Sequence, residues 1–538
     1  MRRTSRITAA CAVVAALTLA ACTGGGTNVV RPQAGPAGVK VQEATFVYVS
    51  HLEIVTDWDP ATSYSNEVQA LQNIYETLTL YNPLTKKAAP RLAVSWQSSS
   101  DARTWTFRLR PNARFHTGRP VDAAAVKESI ERTRALEGGP AYIWESVQSI
   151  QIVDPLTVRF HLKYPVALDL VASSTYAAYV YDTKAAGDGD LKKWFAAGRD
   201  AGSGPYTVAR WNKGKAEELV LKAFDDYWGG WEGPRYRNVV FRVEPDLNAA
   251  WRRLLNGEVS FVSRLNPRLY RQAETTPGVR SLQVPSFQNL LVLFNTSYGP
   301  LRDIRLRKAL QKAIDYDGVI RALRGAGEPA TGLVPEGLVG HTPERRPRQD
   351  LEGAAQLLAE AGYGPGLRPL RLTLTYAEGD NDEAVLVNRL TETLRELNVT
   401  LDARAMKWTE QWARGKAKDP ARRQDIFVMY WWPDYADAYS WYLNVFHSQD
   451  PPSFNLTYLN DKKTDEKIEA LPTLLATNRP AAERAYAELQ NRLIDRLAVV
   501  AVPWVVNYQR AYLGGVQGYN DNPAYPNVVF VHDLEPRG

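Results

Sequence analysis

Residues 430–442 read YWWPDYADAYSWY and set Asp434 and Asp437 among seven aromatic side chains, with Pro433 breaking the run. A core strand has no use for two carboxylates, and a solvated loop has none for Trp431, Trp432 and Trp441. Carboxylates and indoles crowded together are the parts either of a recognition site or of an unusual stretch of core. The thirteen residues alone leave both readings open. Catalytic chemistry has no comparable signature. His51, His116, His161, His341, His447 and His532 stand singly, without HExxH spacing. There is no G-x-S-x-G elbow or Walker loop, and Gly325-Ala326-Gly327 runs into Glu-Pro-Ala, which breaks a dinucleotide pattern. Asp188, Asp190, Asp380 and Asp382 lie in glycine-containing acidic loops without calcium-ligand spacing, and are expected to be solvated turns. No enzyme activity, catalytic residue, metal site or cofactor is expected.

The elements that must position such a segment announce themselves by periodicity. Alternation at period two marks strands at 103–110 (Trp105, Phe107 and Leu109 on one face), at 155–163 and at 370–376. Shorter strands are expected at 45–50, 238–243, 289–295, 425–432 and 527–532. Between them lie helices. Asp303 is a good N-cap for 303–314, which would bury Ile304, Ala309, Leu310, Ala313 and Ile314. Gly362 ends a helix over 350–362 as its C′ residue, and Val387, Leu390, Leu394 and Leu397 stripe a third over 383–397. Gly118 closes a strand in a turn that needs positive φ, and Gly202-Ser203-Gly204-Pro205 is a tight turn feeding another. The mixture is α/β without internal repeats, and 538 residues are enough for more than one lobe.

The chain opens with Arg2, Arg3 and Arg6, followed by an uncharged apolar run from Ile7 to Ala21. That run is short for a membrane span of about twenty residues and reads as an export signal. Its last residues, Leu19-Ala20-Ala21-Cys22, resemble a bacterial lipoprotein signal, which implies a lipid on Cys22. The other cysteine, Cys11, lies inside the signal, so the exported body would have neither thiol nor disulfide. Residues 22–42, rich in Gly and Pro, read as a flexible tether with a reach of about 25 Å. The net charge of +6 falls to +3 without the three signal arginines, and no basic block marks a nucleic-acid partner.

Over essentially the whole mature length the sequence resembles the dipeptide/oligopeptide (and nickel) solute-binding lipoproteins of bacterial ABC importers. The resemblance is carried by DPATSYSNEVQALQNIYETLTLYNP, by LAVSWQSSSDARTWTFRLRPNARFHTGRPVDAAAVKESIER, by GSGPYTVARWNKG with FDDYWGG, and by FNTSYGPLRDIRLRKALQKAID with LLAEAGY, in that order. It implies the two-lobed periplasmic-binding-protein type II fold, closing around a solute. Lobe I would comprise 43–75, 189–290 and 508–538, with an extra subdomain at 76–188, and lobe II would comprise 291–507. The crossings between lobes are expected near Leu291–Asn295 and Val502–Asn507. The implied partners are a peptide, or alternatively an oligosaccharide, and a membrane permease with its ATPase. The protein is expected to be exported, lipid-anchored on the outer face of the cell membrane, and monomeric.

The resemblance also speaks to the opening segment, which matches the family's W-x-A-D-Y-x-D-P loop. It implies that Asp434 pairs with a ligand ammonium group and that Trp431 and Trp432 wall the site, with apolar area and π-faces. Asp437 is expected to brace the loop. Pro433 and Ala438 depart from the pattern, and Pro433 has no N–H to offer a ligand's main chain. Tyr64, Asn66 and Trp504 are the remaining candidates for the cleft lining.

Overall fold

A computed structural model describes residues 45–537 other than 52, 56, 215, 216 and 344. The signal, the tether and the proposed lipid site at Cys22 lie outside the described residues.

A single twelve-stranded sheet runs through the body, and its topology explains where a site can form. Two long antiparallel strands, Val279–Phe294 and Trp504–Leu513, lie at its middle. On one side a parallel trio, Phe261–Val262, Thr45–Ser50 and Asn238–Val243, adds to Trp504–Leu513, followed by the antiparallel hairpin Tyr206–Asn212 and Glu218–Ala223. On the other side Ile426–Trp431, Leu370–Ala377 and Val399–Met406 form a second parallel trio against Val279–Phe294. These halves are the cores of lobes I and II. The registers turn the carboxyl ends of both trios inward. Trp431 pairs with Asn289, while Val262 pairs with Ala511, so both trios end toward the middle of the central pair. There the ladder between the central strands is irregular, between Pro285 and Asn289 on one strand and Asn507 and Val505 on the other. Ligands in open α/β sheets bind outside the carboxyl ends of strands where the direction of winding changes. Here two such edges face each other.

Lobe II has a core built as the periodicity predicts. Asp303 caps helix Ile304–Ala313, its carboxylate accepting from the Arg305 N–H, and Leu306, Ala309, Leu310 and Ala313 pack against Leu290, Val292 and Phe294. The stripe Val387, Leu390 and Leu394 of helix Asn381–Glu396 joins the same cluster. Each buried leucine contributes roughly 1.5–3 kcal/mol relative to exposure. Ile304 is only partly covered, and its expected place is taken by Leu306. An unexpected member is Arg307, buried with its guanidinium donating to the carbonyls of Leu301, Arg302, Leu497 and Ala498.

On lobe I sits a four-stranded antiparallel sheet, ordered Ala93–Ser98, Thr104–Leu109, Thr157–Leu162 and Val147–Asp154, with helix Ala123–Leu136 across it. It has its own core around Phe107, Val126, Trp144 and Phe160. Gly118 takes φ +86° in the turn between strand Thr104–Leu109 and helix Ala123–Leu136. Gly202 and Gly204 are needed for a different reason from the expected turn. A Cβ on Gly202 would lie 2.0 Å from the Ile74 carbonyl oxygen, and one on Gly204 2.7 Å from it, so the two chain segments meet through bare backbone.

One expected strand is absent. Residues 527–532, NVVFVH, form no ladder. Asn527 has φ +61°, and the chain passes into a short 3₁₀ turn, Val531–Asp533. The apolar side chains are buried as a strand's would be, but Val528 enters one cluster while Val529 and Val531 enter another. The buried Asn73 amide supplies what a neighbouring strand would. It donates to the Val529 carbonyl at 2.9 Å and accepts from the Val531 N–H at 3.0 Å. One side chain thereby satisfies backbone that burial would otherwise leave unpaired.

Candidate functional site: the cleft between the lobes

The segment 430–442 divides by function along its length. Tyr430 and Trp431 end the last strand of lobe II, Trp432 to Asp434 leave it toward lobe I, and Trp441 and Tyr442 turn back into the core, fully buried. Trp441 donates its indole N–H to Asn289 at 2.9 Å, tying the segment to the irregular point of the long strand. Asp437 braces the loop, accepting from the Tyr486 hydroxyl and the Tyr439 N–H, each at 2.6 Å. The mixture of types in the sequence thus reflects two environments one turn of chain apart.

Asp434 lies where lobe II meets the extra subdomain carried by lobe I. Its carbonyl accepts from the Thr175 N–H at 2.9 Å and the Ser174 hydroxyl at 2.7 Å, both from the extra subdomain carried by lobe I. The phenol of Tyr142, carried by the short helical turn Ala141–Trp144 of the extra subdomain, donates to its carboxylate, and Asn444 donates to that phenol at 2.8 Å. No cation among the described residues lies within ion-pair distance of Asp434. Burial pushes its carboxyl up to about 6, against the lowering effect of the Tyr142 hydrogen bond. A carboxylate held this way is costly alone and strongly favoured with a cationic partner.

Trp431 and Trp432 are half-buried beside it. The Trp431 ring meets Phe454 edge-on at 5.4 Å, and its N–H reaches the Ser440 hydroxyl at 3.4 Å. Trp432 lies beside the phenol of Tyr176, a buried residue of the extra subdomain that packs into the lobe II core. Both indoles therefore stand at the carboxyl edge of lobe II, next to Asp434.

The remaining candidates are distributed differently. Tyr64 is 59% exposed, with its N–H bonded to the Glu67 carboxylate at 2.9 Å. Asn66 spends its amide on the Glu53 carbonyl at 3.0 Å. Trp504 needs correction: it is 1% exposed within the lobe II core, edge-on to Tyr430 and so close to Gly327 that a Cβ there would lie 2.8 Å from its ring. The alternation of the long strand sends that side chain under the sheet, where it packs and does not line the cleft.

A second correction concerns Asp380 and Asp382, which are not solvated turns. Asp380 caps helix Asn381–Glu396, accepting from the Asp382 and Glu383 N–H groups. Asp382 faces across the cleft and pairs with Arg264 at 2.9 Å, with Asp380 4.0 Å from the same guanidinium. Glu383 accepts from the Ala377 N–H at 2.7 Å, and burial, with the charge of Asp380 beside it, pushes it up to about 8. His51, following the first strand of lobe I, is pushed down to about 4 by burial and then by Arg264. Tyr142, Ser174, Thr175 and Arg264 escaped the sequence reading because nothing in AYIW, SST or SRLNP marks them. Their meaning arises only where the strand ends converge.

Comparison with known proteins agrees with this architecture. The model of the bacterial extracellular solute-binding proteins, family 5 (middle region), matches residues 87–453. The probable D,D-dipeptide-binding periplasmic protein DdpA of Escherichia coli K12 is 26% identical over 488 residues, covering 88% of this chain and 91% of DdpA. Among solved structures, the substrate-binding protein CtaP of Listeria monocytogenes superposes with a TM-score of 0.79 at 21% identity, over 92% of this chain and 99% of CtaP. The periplasmic binding protein DppA of Helicobacter pylori, solved with the peptide STSA, gives 0.76 at 21% identity over 93% and 100% of the two chains. With a family match over more than half its length, and strand ends of both trios turned toward the central pair, the chain belongs to the bacterial extracellular solute-binding proteins of family 5.

Proposed function

We propose that this protein is the extracytoplasmic receptor of an ABC importer, capturing peptides between its lobes and handing them to a membrane permease, without catalysing a reaction. The observation that supports this most is Asp434: an enclosed carboxylate at the junction of lobe II and the extra subdomain of lobe I, without a cation of its own among the described residues. An α-ammonium group is the partner such a carboxylate favours. A neutral sugar could offer only hydroxyl donors, and this weighs against an oligosaccharide as the solute. Relatives whose names or titles mention dipeptides, murein peptides and a bound peptide point the same way. Trp431 and Trp432 would cover the ligand's main chain. Tyr64 and Asn66 would act at the cleft mouth.

The mechanism follows from the fold. The two central strands link the lobes, and the irregular stretch at Pro285–Asn289 opposite Val505–Asn507 would serve as the hinge; on the first strand this precedes the expected crossing near Leu291–Asn295, where Leu291–Phe294 pair with the lobe II strand Ile426–Trp431. A ligand that touches both lobes favours the closed form, whereas one touching a single lobe would bind without shifting the balance. Export, a lipid on Cys22 and a monomeric receptor on a leash complete the proposal, since a tethered body meets its permease at the membrane surface.

The test is thermal unfolding of the purified protein, refolded to strip bound solute, with free-amine peptides, their N-acetylated forms and oligosaccharides. A rise in Tm with free-amine peptides that disappears on acetylation is the expected result. A rise with sugars alone would overturn the choice of solute.

A further inference from the structure

Near the carboxyl ends of the two parallel trios, one guanidinium is shared by two carboxylates from the opposite lobe. Arg264 follows the strand Phe261–Val262 of lobe I, and Asp380 and Asp382 begin the helix Asn381–Glu396 of lobe II. The Arg264 side chain is 41% accessible, so it is not part of a packed core and can meet a solute between the lobes. The groups around it are His51 from lobe I and Asp380, Asp382, Glu383 and Tyr430 from lobe II. Arg264 is the cation whose charge acts on His51, Asp382, Glu383 and Tyr430, whereas Asp434 is governed by burial and its Tyr142 hydrogen bond. Burial opposes the Arg264 charge, and the two aspartates outweigh that penalty. The corner holds more carboxylate than cation.

We propose that Arg264 is a specificity-determining residue: it clasps Asp382 and Asp380 across the cleft, so the lobes close on a contact of the protein's own and the ligand's carboxyl end is left unread. The inference rests on the peptide reading above and deepens it. The ligand class becomes amine-bearing chains recognised by their ammonium end, whatever terminates the other end: a free carboxylate, an amide or a further substituent. A free carboxylate entering this corner would have to take the guanidinium from two acids already facing it, and would meet their charge. An amide or ester carries no charge and meets no such opposition.

The experiment is calorimetric titration of the full chain with a library of N-free tri- and tetrapeptides, each as C-terminal acid and C-terminal amide, alongside N-acetylated acids. In the wild type, acid and amide should bind within threefold of one another. Arg264→Met should weaken both by about tenfold and equally. Asp382→Asn, which leaves the guanidinium in place but removes its principal partner, should create a preference for the acid of more than threefold. A wild-type preference for acids above tenfold, erased by Arg264→Met, would overturn the proposal, as would an Asp382→Asn protein that treats both forms alike. If Arg264→Met does not fold, the Asp382→Asn result decides by itself. Equal binding of N-acetylated and N-free acids would count against the ammonium reading and leave the acid–amide comparison standing. Failure of every peptide to bind overturns both.

Discussion

The phenol of Tyr142 donates to the carboxylate of Asp434 across 292 residues of sequence, joining the extra subdomain of one lobe to the aromatic–acidic loop of the other. This bond helps keep Asp434 ionised in a place where burial works against its charge. It also orients the carboxylate, because Asn444 fixes the phenol from the far side. Tyr142→Phe should weaken binding of an amine-bearing peptide by about five- to twentyfold, the loss of about one charge-assisted hydrogen bond. Asp434→Asn should cost on the order of a hundredfold or more, since it removes the only charge offered to the ammonium. Calorimetry on the two variants checks the order; equal losses would mean that Tyr142 does more than position the carboxylate.

Stability and binding should respond to pH in opposite directions. Asp434 and Glu383 stand at about 6 and about 8, both above the ordinary carboxylate range, chiefly through burial. For a carboxyl group raised on folding, the stability it contributes is fully present below its unfolded value and is lost as pH rises through the folded one. The ligand-free protein should therefore lose Tm from these two groups between about pH 4 and 8. Glu383→Gln should flatten the upper part of that fall. Binding of an ammonium needs the ionised Asp434, so affinity should fall about tenfold from pH 7.5 to pH 5. A Tm profile and a titration series over the same range test both. Parallel slopes would contradict the assignment.

Arg307 is a structural arginine. Its five N–H···O contacts to Leu301, Arg302, Leu497 and Ala498 hold the segment that leads into the short strand Val500–Ala501. Arg307→Met fills similar volume but takes the donor from the carbonyls of Leu301, Arg302, Leu497 and Ala498, two of them buried, and should lower stability by about 2–4 kcal/mol in denaturant titration. Peptide affinity of the folded fraction should not change.

Gly202→Ala tests the backbone contact with Ile74. The added methyl would sit 2.0 Å from a carbonyl oxygen, a clash with backbone that no rotamer relieves. A loss of about 3 kcal/mol or more, or failure to fold, is expected. A variant of wild-type stability would show that the two segments can separate freely.

The sequence by itself determined the elements and their kind. Alternation at Trp105, Phe107 and Leu109 and the stripe Val387, Leu390, Leu394 are local signals, because side-chain direction follows from the backbone period of the element. The caps Asp303 and Asp380 are local too, each bonding an N–H two residues on. Asp434 and the indoles of Trp431 and Trp432 were legible as candidates because their composition suits neither core nor solvent alone, and because a resembling loop was known. What only the tertiary structure decided are relations between distant segments. Residues 527–532 have a strand's composition but no strand, because the Asn73 side chain satisfies their backbone instead. Trp504 looked like a cleft wall until the face of its strand was fixed by neighbours on both sides. Asp382 looked like part of a solvated turn, and its carboxylate acquired a partner only when Arg264, 118 residues earlier, arrived across the cleft. Periodicity and capping are properties of a few consecutive residues, whereas a site made where two sets of strand ends converge depends on register and topology, which no short window of sequence contains.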